Sequence, residues 1–207
     1  MIFATRFGLL VAFAILSAKS FSDKVFTIPT GTKIPYRAVR AEWLFEGHEP
    51  KRVQQSIGYG ITKLIDAEFV TERFNDSITV STANASFNYL PAFVDMAPGI
   101  SFGIRDIANR TEFGRSPYIA ITYKSGLEGQ LNSDFPAEMT LGFGTGGFRG
   151  LFVGVMVPFS REVRLIGEHD THRVSLGFDL RPFKELSVKT VLQDGSGVFS
   201  ATFQAKF

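Results

Sequence analysis

The chain contains no cysteine. That excludes disulfides, thiolate metal centres and a thiol nucleophile, and it excludes a lipid anchor of the kind attached to a cysteine behind a leader. Charge of one sign is also lacking. The 22 Lys and Arg stand against 20 Asp and Glu, for a net charge of +2, which gives no footprint for nucleic acid. Histidine is scarce, with three residues, His48, His169 and His172. Beyond residue 16 no apolar run reaches the ~20 residues that a membrane helix needs, and no segment carries a clear helical period.

One apolar run exists, at residues 7–16, behind Arg6 and ahead of Ser17, Ala18, Ser20 and Ser22. A positive start, a short apolar core and small residues at the end are the layout of a secretory signal peptide. The expected leader is 1–20, with cleavage between 18 and 22. Residues 21–35 are then expected to form an N-terminal periplasmic segment, and 36–207 the folded domain. An exported domain without disulfides must be held by its core, by closure of its sheet or by a membrane.

What the chain has in quantity is Phe (22) and Gly (20), spread through segments that alternate apolar and polar residues. A period of two marks a strand with one oily and one wet face. Eleven such segments lie at about 37–45, 52–61, 65–69, 78–89, 99–105, 119–124, 138–143, 151–157, 162–168, 173–181 and 186–193, and a twelfth closes the chain at 198–207. The fourth changes phase, with Ile78 and Val80 followed by Ala83, Ala85, Phe87 and Tyr89, which predicts a β-bulge near Ser81 and Thr82. The eighth is apolar on both faces, so its phase stays open. Pro158-Phe159-Ser160 and Pro182-Phe183-Lys184 each end one strand and start another, as turns on one rim would.

The pattern predicts an all-β fold, an antiparallel up-and-down transmembrane β-barrel of about twelve strands, within a range of 10–14. Alternation alone also suits a soluble barrel with its oily face inward. The ends of the chain decide between them. The closing strand puts Phe199, Ala201, Phe203, Ala205 and Phe207 on one face, and Phe203 and the terminal Phe207 resemble the C-terminal signal read by the barrel-assembly machinery of Gram-negative bacteria. With the signal peptide this places the chain in the bacterial outer membrane, with outer-membrane lipid and that machinery as partners.

The polar faces then line a lumen. Arg40, Glu42, Glu68, Arg105, Glu138, Arg164, Glu168, Arg173 and Asp179 form its expected charge cluster, with both signs interleaved. Such a lumen is crossed by ion pairs, and a twelve-strand barrel is narrower than the open porins, so the pore is expected to be narrow or blocked. Arg105, beside Asp106, faces this lumen and is expected to pair with Glu138 or Glu68, with an anionic sugar or phosphate as the functional alternative.

Other motifs carry less. Residues 142–147 match a GxGxxG string but lead into no helix, so phosphate-binding logic does not apply. His169, Asp170 and His172 are the one metal-like cluster, on a spacing that matches no strong signature. No serine sits in a Gly-x-Ser-x-Gly elbow. No catalytic residue, metal or cofactor is assigned.

Several stretches resemble the YjbH-like family of outer-membrane proteins: residues 98–106, the glycine-rich 141–147, 150–155, 165–170, the closing hairpin and Ile28-Pro29-Thr30. The resemblance implies a non-enzymatic barrel linked to exopolysaccharide secretion or cell-surface structure, with polysaccharide as a candidate partner. The alternatives are a small passive channel and an outer-membrane hydrolase.

Overall fold

A computed structural model describes residues 24–47, 52–74, 78–126, 136–160 and 162–207. The expected signal peptide lies outside these residues. Twelve strands follow one another: β1 (Ala38–Glu46), β2 (Arg52–Gly60), β3 (Ile65–Phe74), β4 (Ile78–Leu90), β5 (Gly99–Arg105), β6 (Ser116–Ser125), β7 (Ala137–Gly144), β8 (Gly150–Pro158), β9 (Val163–His169), β10 (Val174–Phe183), β11 (Leu186–Gln193) and β12 (Ser196–Lys206). Each pairs antiparallel with its neighbours in sequence, and β1 pairs with β12 to close the barrel. No helix occurs among the described residues. Closure leaves no strand edge unpaired, as lipid requires, because no water is there to satisfy a free N–H or C=O.

Side chains divide between the two faces as the alternation predicts, and the polarity is inverted relative to a water-soluble protein. Trp43, Ile57, Phe69, Leu176 and Phe178 are more than half exposed on the outer face. Arg164, Glu138 and Asp179 are at most 4% exposed on the inner face. In water such an apolar exterior would be an aggregation surface. Around a lumen it is the outer wall of an outer-membrane-type β-barrel, with its charges shielded inside.

Two strands differ from expectation in detail. β4 carries no bulge at Ser81 and Thr82. It pairs with β3 without a break from Ile78 to Phe87, and the register shift lies against β5, between Asn88 and Leu90. Val80 faces inward opposite Glu72, because β4 is thirteen residues long and its first residues stand at the rim, where the lipid-facing pattern no longer applies. The open phase of β8 resolves with Phe152 and Met156 fully buried inward and Leu151, Val153, Val155 and Val157 outward.

The start of β1 and the end of β12 lie at one rim: Phe207 N donates to Arg37 O at 3.0 Å. The turns after β2, β4, β8 and β10 share that rim. Those after β5, β7, β9 and β11 form the far rim. Residues 24–35, part of the expected N-terminal periplasmic segment 21–35, are packed within the barrel from Lys24 onward. Val25, Phe26 and Ile28 are 1% exposed or less, in one buried cluster with Leu44, Phe148, Phe152, Met156, Ile166, Val191 and Val198 of the inner wall. The physical reason is their apolar character: a lumen already holding Phe152 and Met156 gives these side chains a place out of water.

Candidate functional site

The lumen is the only region where the described polar groups converge, and its organising feature is the inserted segment 24–35. Val25 N donates to Ile28 O at 3.2 Å, closing a tight turn with Phe26 and Thr27 at its tip. The segment forms almost no ladder with the wall, so its backbone polar groups need other partners. Wall side chains supply them. Glu168 accepts from the amides of Phe26 (2.9 Å), Thr27 (2.9 Å) and Ile28 (3.4 Å), and from the Thr27 hydroxyl at 2.6 Å. Lys189 Nζ donates to Val25 O at 2.6 Å. Ser101 Oγ donates to Thr30 O, Asn88 Nδ2 to Gly31 O, and Gly31 N to Thr122 Oγ1, at 2.6–2.7 Å. Ile34 N donates to Asp66 at 2.7 Å. Arg105 donates to Thr27 O.

Glycines make room for it. A Cβ on Gly99 would strike Gly31 O, one on Gly60 would strike Pro35 O, and one on Gly154 would come within 2.6 Å of Ile28 Cδ1. Where the inner wall lacks a side chain, the inserted backbone comes close.

The remaining lumen charges pair with one another. Lys24 of the segment reaches Glu68 at 2.7 Å and Glu42 at 3.4 Å, and Arg40 reaches Glu68 at 2.6 Å. A second network joins Asp179 to Arg164 (2.6 Å) and Arg181 (2.9 Å), with Glu138 3.5–3.6 Å from Lys124 and Arg164. At the far rim Arg52 meets Glu72 at 2.7 Å and Arg173 meets Glu46 at 3.4 Å. The expected cluster therefore falls into two networks, a rim pair and two residues with another role. Glu168 has no cation within ion-pair distance among the described residues; it holds backbone amides instead. Arg105 is not paired with Glu138 or Glu68, because its guanidinium lies over the Phe148 ring, 4.7 Å from the centroid, and turns to Thr27.

Between the inserted segment and the far rim is a cavity of about 180 Å³, bordered by Arg52, Arg105, Phe113, Phe148, His172 and Arg173 among others. The loop after β5 closes one side of it and is built on Asp106. Burial pushes this carboxyl up, but hydrogen bonds from the Thr111 and Thr82 hydroxyls and the Arg110 and Thr111 amides outweigh that and hold it at about 2.

His169, Asp170 and His172 serve the β9–β10 turn. Asp170 accepts from the His172 and Arg173 amides at 2.9 and 2.7 Å. His169 Nδ1 donates to Arg173 O and His172 Nε2 to Gly147 O, at 3.2 and 2.7 Å. These three do not converge on a common point, and no group of three potential metal ligands occurs among the described residues. In the GxGxxG stretch, a Cβ on Gly142 would strike the Phe152 ring, and one on Gly144 would lie 2.6 Å from Phe148 Cβ. Those glycines admit inward aromatics.

Sequence reasoning missed the inserted segment, and with it Lys24, Phe26, Thr27 and Ile28. A usable signal was present. Gly58, Gly60, Gly99 and Gly154 all fall at inward positions, so part of the wall has no side chains to fill the lumen, while Val25, Phe26 and Ile28 are apolar residues without a strand.

No family model matches the chain, and no curated protein matches it. Among solved structures, the N-terminal β-barrel domain of Pseudomonas aeruginosa OprF is similar at 11% identity, covering 82% of this chain and 98% of that one, with a TM-score of 0.29.

Proposed function

We propose that the protein is a non-enzymatic, occluded β-barrel of the bacterial outer membrane that serves exopolysaccharide secretion or surface structure, with the far rim facing outward. The observation that carries this is the segment 24–35 fixed inside the lumen. An interior occupied by Phe26, Ile28 and their wall partners leaves less room for water, which argues against the passive channel. His169 Nδ1 and His172 Nε2 each donate to a backbone carbonyl of a turn, and among the described residues neither ring is hydrogen-bonded to a serine hydroxyl, the contact a serine hydrolase would need. Phe203 stands with the other exposed apolar residues of the outer face, consistent with a wall that meets outer-membrane lipid.

The test uses purified full-length protein in planar bilayers, after its cold-versus-boiled gel shift shows that it is folded. The expected result is no steady conductance. Stable single-channel steps would overturn the occluded reading in favour of the channel. Loss of secreted or surface polysaccharide on deletion of the gene is expected. An unchanged polysaccharide profile would remove that part of the proposal and leave the barrel.

A further inference from the structure

We propose that the far-rim cavity binds a single sugar-sized ligand, an anion carried on a polyhydroxylated ring. This deepens the reading above and rests on it only for the outward orientation of the far rim.

Charge balance comes first. The other cations bordering the cavity have carboxylates: Lys24 has Glu68 and Glu42, Arg52 has Glu72, and Arg173 has Glu46. Asp106 and Asp170, which also border it, are turned to backbone amides of their own loops and to the hydroxyls of Thr82, Thr111 and Thr27. Arg105 has no carboxylate within ion-pair distance among the described residues. A guanidinium carries five N–H donors, and Arg105 spends one nitrogen on Thr27 O. Its guanidinium carbon sits 4.7 Å from the Phe148 ring centroid, and this contact with the bond to Thr27 O restricts where the remaining donors point. A partly buried guanidinium of this kind gains most from a bidentate carboxylate or phosphate.

The rest of the cavity suits a ring. Phe113 and His172, which both border the cavity, stack with centroids 5.4 Å apart and an interplanar angle of 30°, which steadies the Phe113 ring as an aromatic surface for a sugar face. The amide nitrogen of Gln54, which also borders the cavity, donates to no described residue and is available to a hydroxyl. The cavity volume of about 180 Å³ gives room for one sugar ring. The anionic group and the ring face would be read by different walls, so neither glucose nor inorganic phosphate satisfies the site alone.

The experiment is calorimetric titration of the folded protein in detergent with glucuronate, glucose 1-phosphate, glucose and inorganic phosphate. Either acidic sugar is expected to bind at least tenfold more tightly than glucose and than inorganic phosphate. Preference between the two tells a sugar acid from a sugar phosphate. Arg105→Gln and Phe113→Ala are each expected to weaken binding at least tenfold. Because Arg105 also holds the inserted segment, its variant is judged with amide exchange at 24–35. Phe113 makes no such contact and tests the site alone. Equal affinity for glucose, equal affinity for inorganic phosphate, no binding by either acidic sugar, or binding unaffected by Phe113→Ala overturns the proposal. The gel shift and bilayer conductance are unaffected by these outcomes and report on the occluded barrel separately.

Discussion

Glu168 shows how a single charge can serve backbone instead of another charge. Three consecutive amides, of Phe26, Thr27 and Ile28, converge on its carboxylate, so one anion satisfies donors that would otherwise be buried without partners. Glu168→Gln keeps the shape but presents one neutral oxygen and an NH₂ to those amides. Hydrogen bonds to a charged group are worth about 1.5–3 kcal/mol each, so local stability is expected to fall by about that much or more. Amide hydrogen exchange at 24–35 should quicken, while the strands stay protected; unchanged exchange at the segment would refute the role. Asp106 makes a second prediction at this scale. Its folded pKa of about 2 lies below the ordinary 3.8, so it stabilises the folded loop above pH ~4, and that contribution fades as pH falls towards 2. Exchange protection in residues 106–115 is expected to hold at pH 5 and to decline between about pH 4 and pH 2. Loss of protection on going from pH 5 to pH 8 would be the wrong sign.

At the scale of elements, the inserted segment is a strand-length piece without a ladder, accommodated because its neighbours lack side chains. Gly99, like Gly60, is a strict position, since its missing Cβ would meet backbone of the segment, at Gly31, rather than a movable side-chain end. Gly99→Val is expected to displace segment 24–35 while β5 stays in place, held by its pairing with β4 and β6. Amide exchange would show an exposed segment inside a still heat-modifiable barrel, and burial of Phe26 and Ile28, worth about 1.5–3 kcal/mol each, would be lost. A variant whose segment remains as protected as wild type would show that the close approach is not needed. β4 offers the converse lesson. Its apolar residues at 78 and 80 read as a phase change in sequence, yet the pairing is continuous. Hydrophobic phase reports the face of a strand only within the membrane-facing band, and β4 extends beyond it.

For the whole molecule, the inside-out arrangement predicts that the cost of an outward charge depends on depth. Phe178 lies mid-strand on β10 and Val174 at its far-rim end, both on the apolar face. Phe178→Arg is expected to destabilise the barrel in lipid vesicles by ~2–4 kcal/mol and Val174→Arg by ~0–1 kcal/mol, measured by equilibrium unfolding. Similar small effects at both positions would mean that this face meets water. The same experiment separates the membrane barrel from a soluble barrel of identical topology.

The sequence by itself indicated about twelve antiparallel strands and, outside β4 and β8, which side chains share the apolar face, because a period of two is a property of the chain alone. It also located the inward charges, since lipid tolerates few charges on the outside. It did not determine their partners. Arg105 and Glu168 lie on strands four apart in the chain order, β5 and β9, and whether each meets a carboxylate, a lysine or a peptide group depends on what occupies the lumen between them. Only the tertiary structure decided that, by placing residues 24–35 across the interior. The segment carries no periodic signal of its own, and its position follows from the side-chain volume left empty at Gly58, Gly60, Gly99 and Gly154, a quantity that exists only once the barrel has closed.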